Sequence, residues 1–331
     1  ILSTYFAILI LSTHFAILIL STHFTILILS TFWTMIHPFK SDVSVHLGGG
    51  GFRGYCHFTV VEIIKRFNNI TSLSGFSIGA LVGYILSFRH VNTQSAQEMF
   101  LKLYPKSLHY QVTLSNLFGN KSLCDISVLK KFIRALCMSL NVPIDDVTLQ
   151  DAYCMTNMEF KIITSDITSF LPVVHDRHNN TKDTVLDVIT ASMCYPGVFP
   201  QMPLCDVKLH YDGGLLGAYT NPWSGLNIIV RFANKLYDEN NILNQREQEF
   251  AIGNDWKGTS HMEIALHVVH RLNCLLDTAK PSELTYYINV VMPKKYTTFS
   301  TMDTLEDTDL KYALFNSECA TILTLRKMFC N

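Results

Sequence analysis

The sequence predicts an α/β protein, a three-layer α/β/α fold around a mostly parallel central sheet. Short apolar runs alternate with stretches whose apolar residues recur at helical spacing, from Ser41 towards the C-terminus. Two of those runs lead straight into glycine-rich turns and then into helical pattern, as strand-turn-helix units do. No convincing linker divides residues 40–331, which therefore read as one domain behind a separate N-terminal segment, residues 1–39.

In chain order, Val43 to Leu47 (VSVHL) is a strand that ends in the glycine cluster Gly48–Gly51. Cys56 to Phe67 is a helix, with Phe58, Val61 and Ile64 on one stripe and Lys65 and Arg66 at its end. Asn68-Asn69 reads as a turn and Ser72 to Ser74 as a brief strand before a second glycine-framed turn. Ala80 to Phe88 is a helix whose Ala80 and Gly83 permit close approach to the sheet. Helices follow over residues 93–103 and 126–140, a strand over Phe160 to Thr164, and a helix from Val185 to Ser192 stopped by Pro196-Gly197. Further strands are predicted from Asn227 to Phe232 and Tyr286 to Val291, and helices over residues 262–277 and 308–328. The polar run from Tyr237 to Glu249 is expected to be an exposed insertion or lid.

Composition narrows the function. The 331 residues are 48% hydrophobic and 16% charged, so apolar material for a large core is plentiful. A formal net charge of -1 with no basic stripe argues against a nucleic-acid partner. Nine cysteines contain no CxxC pair, which indicates neither a disulfide framework nor a metal site. They suit a reducing compartment, so the chain is expected to be intracellular, cytoplasmic or membrane-associated. Sequons at Asn69, Asn120 and Asn179 are read as chance matches.

Residues 1–39 hold no Asp, Glu, Lys or Arg and repeat a nine-residue unit first seen as Ile8–Ala16 (ILILSTHFA). The stretch is long and apolar enough for a membrane anchor, yet lacks the basic n-region of a signal peptide. Nine steps of about 100° end roughly 180° from the start, so Ser-Thr-His keeps no fixed helical face. A membrane anchor, a disordered tail and a read-through artefact all remain open.

The chemistry is concentrated in three places. Gly75-Phe76-Ser77-Ile78-Gly79 has the G-x-S-x-G form of a nucleophile elbow, in which glycines at -2 and +2 leave room for a strained serine. The helix N-terminus behind Ser77 favours negative charge there. Upstream, Gly49, Gly50, Gly51 and Gly54 with Arg53 (GGGFRG) offer unhindered N–H groups for a developing oxyanion. The loop also fits a dinucleotide fingerprint, but the acidic residue expected about 20 residues later is replaced by Thr71–Ser74 and the elbow. Downstream, Asp212-Gly213-Gly214 supplies a carboxylate; in isolation such a triplet is equally an ordinary turn. No histidine sits in a recognisable catalytic motif, and His210 is read as structural, its side chain directed away from Asp212. The reading is a Ser77–Asp212 dyad without metal or cofactor.

These residues, Gly49–Gly54, Gly75–Gly79 followed by Ala80 and Gly83, and Asp212–Gly214, resemble the patatin-like phospholipases. Thr164-Ser165-Asp166 is similar to that family's T-x-D segment, and Ala191–Pro200 (ASMCYPGVFP) to its A-S-x-x-x-P-x-x-F-P segment, which approaches the active site. Asn221-Pro222 comes later than the family's Asn-x-Pro, a departure that bears on the pocket floor. The resemblance implies a lipid acyl hydrolase in lipid catabolism, with a membrane-lipid substrate met at a membrane surface. Ser77 would attack the ester carbonyl, Asp212 would serve as base, and the Gly49–Gly51 amides would hold the oxyanion. Gly213 and Gly214 would support the dyad, and Arg53 would brace the loop rather than meet a phosphate. Val198, Phe199, Met202 and Leu204 are either an acyl-chain rim or ordinary core. The alternatives are a neutral-lipid or lysophospholipid esterase and a catalytically silent membrane-bound lipid-binding protein.

Overall fold

The computed structural model describes residues 40–107, 122–180, 182–205, 208–217, 220–233, 284–291 and 307–330. The nine-residue repeats, the expected lid from Tyr237 to Glu249 and the helix expected over residues 262–277 lie outside them. Among the described residues no helix is long and apolar enough to cross a membrane.

The chain opens with β1 (Ser41–Leu47), a 3-10 turn (Gly51–Gly54), α1 (Tyr55–Phe67), β2 (Asn68–Phe76) and α2 (Ile78–Ser87). It continues through α3 (Thr93–Ser107), α4 (Ile126–Ser139), α5 (Leu149–Thr156), β3 (Glu159–Asp166), β4 (Leu171–His175) and α6 (Val185–Ser192). Next come β5 (Met202–Pro203), β6 (Leu209–Asp212), β7 (Asn227–Ala233), β8 (Thr285–Val291) and α7 (Asp307–Cys330). The sheet runs β5-β6-β3-β2-β1-β7-β8, with β4 also on β3. β3, β2, β1, β7 and β8 are mutually parallel, while β4, β5 and β6 pair antiparallel. The expected mostly parallel sheet flanked by helices is what forms. β2 is longer than anticipated: Asn68 and Asn69 do not make a turn but pair with Ser41 and Asp42, because α1 ends directly against the start of β1.

The central strands are apolar because helices cover them. Val43, Val45 and Leu47 of β1 and every residue of α2 are buried. α2 lies over β1, β2 and β3, and α7 packs on β8 and α1. Caps set the starts of the outer helices. The Asp125 carboxylate accepts from the Ser127 amide at 2.7 Å, and Thr148 with Asp151 forms a capping box at α5. An aromatic cluster joins the 3-10 turn to α3 and α4: Phe52 lies 5.2 Å from Tyr104 and 6.2 Å from Phe100, and Tyr104 meets Phe132 edge-on at 5.4 Å. Phe52, inside the glycine-rich loop, is therefore a mooring residue.

The register on β3 places the site. β2 pairs with positions 159–163, β4 with 162–166 and β6 with 164–166. A strand has two sides, so β4, overlapping both others, takes one side alone. β2 and β6 then share the other side and meet end to end, Phe76 opposite Ile163 and Asp212 opposite Thr164.

Truncating the fully buried Leu81 to Ala should remove about 2–5 kcal/mol of stability, read as a lower urea midpoint with unchanged slope; a change under about 0.5 kcal/mol would contradict the packing of α2.

Candidate active site

Ser77 occupies the junction of β2 and α2 with φ 53 and ψ -133, a conformation that non-glycine residues rarely adopt. The turn exists because of its glycines. A Cβ on Gly75 would lie 2.6 Å from the carbonyl carbon of Gly79, and one on Gly79 would collide with the Leu47 carbonyl and sit 2.6 Å from the Gly48 oxygen. Strand β1 and the elbow thus touch backbone to backbone, which the G-x-S-x-G spacing anticipates.

The Ser77 side chain lies beside the Asp212 carboxyl, so the two predicted partners are brought together. The carboxyl is buried, and burial pushes it up to about 6; the neighbouring Ser77 side chain and the Gly214 amide, 2.8 Å from Oδ1, pull the other way. Gly213 packs against the Ile163 carbonyl, and Gly214 lies against the Phe76 ring.

The glycine loop lies beside Ser77. A Cβ on Gly49 would be 3.1 Å from the Ser77 Cβ and 2.7 Å from the Phe76 ring. Gly50 packs on Phe232, Gly51 begins the 3-10 turn at φ 55, and Gly54 packs on Ile78. Gly48 donates to the Val230 carbonyl at 2.8 Å, whereas among the described residues the amides of Gly49, Gly50 and Gly51 donate to no backbone carbonyl. Arg53 braces the loop: its Nε donates to the Gly50 carbonyl at 3.2 Å and its guanidinium lies 5.1 Å from the Phe232 ring centroid. Burial lowers it to about 10, which leaves it charged at neutral pH.

Several supporting residues carried no sequence signal. His57 on α1 reaches the Gly48 carbonyl through Nε2 at 2.7 Å, so that nitrogen carries the proton. Burial holds its pKa down to about 4, and the ring is neutral. Ser165 donates to the Asp212 carbonyl at 2.8 Å and accepts from the Leu216 amide at 3.0 Å, shaping the turn after the aspartate. Ser192 accepts from the Ser77 amide at 2.8 Å. The clue to both serines was their place in the T-x-D and A-S-x-x-x-P segments, which assigned them no role.

One expectation changes, and one open alternative is resolved. His210 does not point away from Asp212: residues two apart on a strand share a face, and both are buried. Its role is structural, since Nδ1 bonds the Thr164 hydroxyl at 2.9 Å. Val198, Phe199, Met202 and Leu204 are at most 7% exposed and belong to the core cluster rather than to an open rim.

A raised acid weakens the fold as pH rises. Folded Asp212 keeps its proton up to about pH 6, whereas the unfolded chain releases it near 3.8, so stability is lost between those values. The loss is on the order of 2–3 kcal/mol. Asp212→Asn should therefore melt higher than the unaltered protein at pH 8, with the gap closing below about pH 4. Parallel melting curves across that range would show that the carboxyl is not raised.

The profile of the family described as Patatin-like phospholipase matches residues 45–226, more than half of the chain. Among characterised proteins, "Neuropathy target esterase sws" of Drosophila persimilis is 27% identical over 194 residues, covering 56% of this chain and 12% of that protein. The Drosophila melanogaster protein of the same name is 27% identical over 190 residues, covering 55% and 11%. The chain thus spans about a tenth of the length of these relatives. Of solved structures, VipD from Legionella pneumophila is 13% identical, with 86% of this chain and 67% of that one covered and a TM-score of 0.46. ExoU, from the type III secretion system of Pseudomonas aeruginosa, in complex with SpcU is 16% identical, with 88% and 52% covered and a TM-score of 0.45. Structural likeness at that level carries no functional weight. The profile match, over the stretch that holds the glycine loop, the elbow and Asp212, places this chain in the patatin-like phospholipase family.

Proposed function

We propose that this chain is a lipid acyl hydrolase that cleaves carboxylic esters of phospholipids at a membrane surface, in lipid catabolism, through a Ser77–Asp212 dyad. The observation that carries the reading is the closeness of the Ser77 side chain to the buried Asp212 carboxyl, at a strained elbow beside glycine amides that, among the described residues, donate to no backbone carbonyl. The family assignment and relatives named as esterases support the same reaction class.

Asp212 takes the hydroxyl proton as Ser77 Oγ attacks the ester carbonyl. Negative charge then gathers on the carbonyl oxygen, where the Gly49, Gly50 and Gly51 amides are available as donors and the N-terminal end of α2 adds favourable potential. Collapse expels the alcohol, which recovers the proton from Asp212, and leaves an acyl group on Ser77. Asp212 next deprotonates water, which attacks the acyl ester and releases the fatty acid. A base near 6 is ionised at neutral pH yet basic enough to share a proton. The scheme calls for neither metal nor cofactor.

A fluorophosphonate probe should label the protein at Ser77, Ser77→Ala should abolish labelling, and Asp212→Asn should slow it by about 10²–10⁴-fold. Equal labelling of Ser77→Ala would refute the assignment. Activity on phosphatidylcholine vesicles should fall as pH drops through about 6, because a protonated Asp212 cannot accept the serine proton. Faster fatty-acid release from triacylglycerol emulsions or lysophospholipid would redirect the substrate to the neutral-lipid or lysophospholipid class.

A further inference from the structure

Where β2 ends, one side chain stands inside the sheet. Phe76 opposite Ile163 is the last pair that β2 makes with β3. Just beyond it, the hydroxyl of Ser192, the last residue of α6, stands between the Ser77 amide and the Ile163 carbonyl. Its Oγ accepts from the Ser77 amide at 2.8 Å and donates to the Ile163 carbonyl at 2.6 Å. The side chain is fully buried, and its only hydroxyl proton goes to Ile163, so the direction of both bonds is determined. The same helix end holds the other half of the site. The Ser192 carbonyl accepts from the Gly213 amide at 3.3 Å and the Cys194 carbonyl accepts from the Asp212 amide at 2.9 Å. Carbonyls that a helix C-terminus leaves unpaired are thereby satisfied by the aspartate segment.

Resting on the hydrolase reading above, we propose that Ser192 is a positioning residue: it takes up the Ser77 amide where the chain leaves β2, holds the elbow in its strained conformation, and keeps the Ser77 hydroxyl beside Asp212. A second consequence follows. The Ser77 amide is committed to Ser192, so it is not an oxyanion donor.

Removing the hydroxyl leaves the Ser77 N–H and the Ile163 carbonyl without their shared partner, and the elbow relaxes towards an ordinary strand. Ser77 then drifts from Asp212, and a carboxyl that loses this neighbour, which lowers its pKa, titrates higher. The neighbouring Cys194 thiol does not mask the effect, because burial and the aspartate charge keep it protonated.

The test is a carbon-13 NMR titration of the Asp212 carboxyl in the full chain, together with steady-state kinetics on a soluble short-chain ester. In Ser192→Ala the titration midpoint should move up from about 6, in the same direction as in Ser77→Ala, while kcat falls about tenfold or more and KM stays within about twofold. If Ser192→Ala does not fold, Ser192→Cys, nearly isosteric but a poor donor and acceptor, carries the same expectation. A variant with lowered melting temperature but unchanged midpoint and kcat would overturn the proposal and leave Ser192 as a packing residue. An unaltered protein without Ser77-dependent hydrolysis would sink the hydrolase reading instead, and the NMR titration would still decide the role of Ser192.

Discussion

Everything in this site depends on the register of one strand. β3 offers one side to β2 up to Ile163 and to β6 from Thr164 onward, so two strands running in opposite directions stop at adjacent positions. Ser77 leaves the end of the first and Asp212 the end of the second. A one-residue slip on β3 would turn side chains to the opposite face and carry the carboxyl away from the hydroxyl. The pairing of β4 on the far side of β3, over positions 162–166, helps hold that register.

Close backbone packing completes the site. The elbow lies directly against the end of β1, and the glycine loop follows from that same end, so β1 links the loop to Ser77. The loop is then fastened at three points: Phe52 in the aromatic cluster, Arg53 on the Gly50 carbonyl, and His57 on the Gly48 carbonyl. A donor loop with so many tethers needs little rearrangement when charge develops beside it, which is the condition for strong electrostatic stabilisation. The same burial that shields Asp212 raises its carboxyl, so the feature that weakens the fold at neutral pH also produces a base of suitable strength.

The sequence was most readable where one residue type is sterically obligatory. Gly75 and Gly79 can be read because any side chain there would meet backbone, and Gly49 because it would meet Phe76 and Ser77. Strands β1, β3, β7 and β8 were visible because their apolar residues cluster in short runs that lead into turns. The short antiparallel strands β5 and β6 were not read as strands: two and four residues give no period to detect, and their pairing is set by partners distant in sequence. Asn68 and Asn69 carry turn chemistry locally, yet pairing with β1 overrides it.

Taken alone, the sequence determined the α/β class, the strained serine between strand and helix, the glycine loop and the candidate aspartate. Each of these rests on local sterics or periodicity, which a linear string records. Tertiary structure decided that Asp212 reaches Ser77, that its carboxyl is raised, that His210 serves Thr164, and that Ser192 stands between Ser77 and Ile163. Those facts arise from hydrogen bonds and burial between segments far apart in the chain. A serine that bridges two strands is spelled the same as one that faces water, and only the fold distinguishes them.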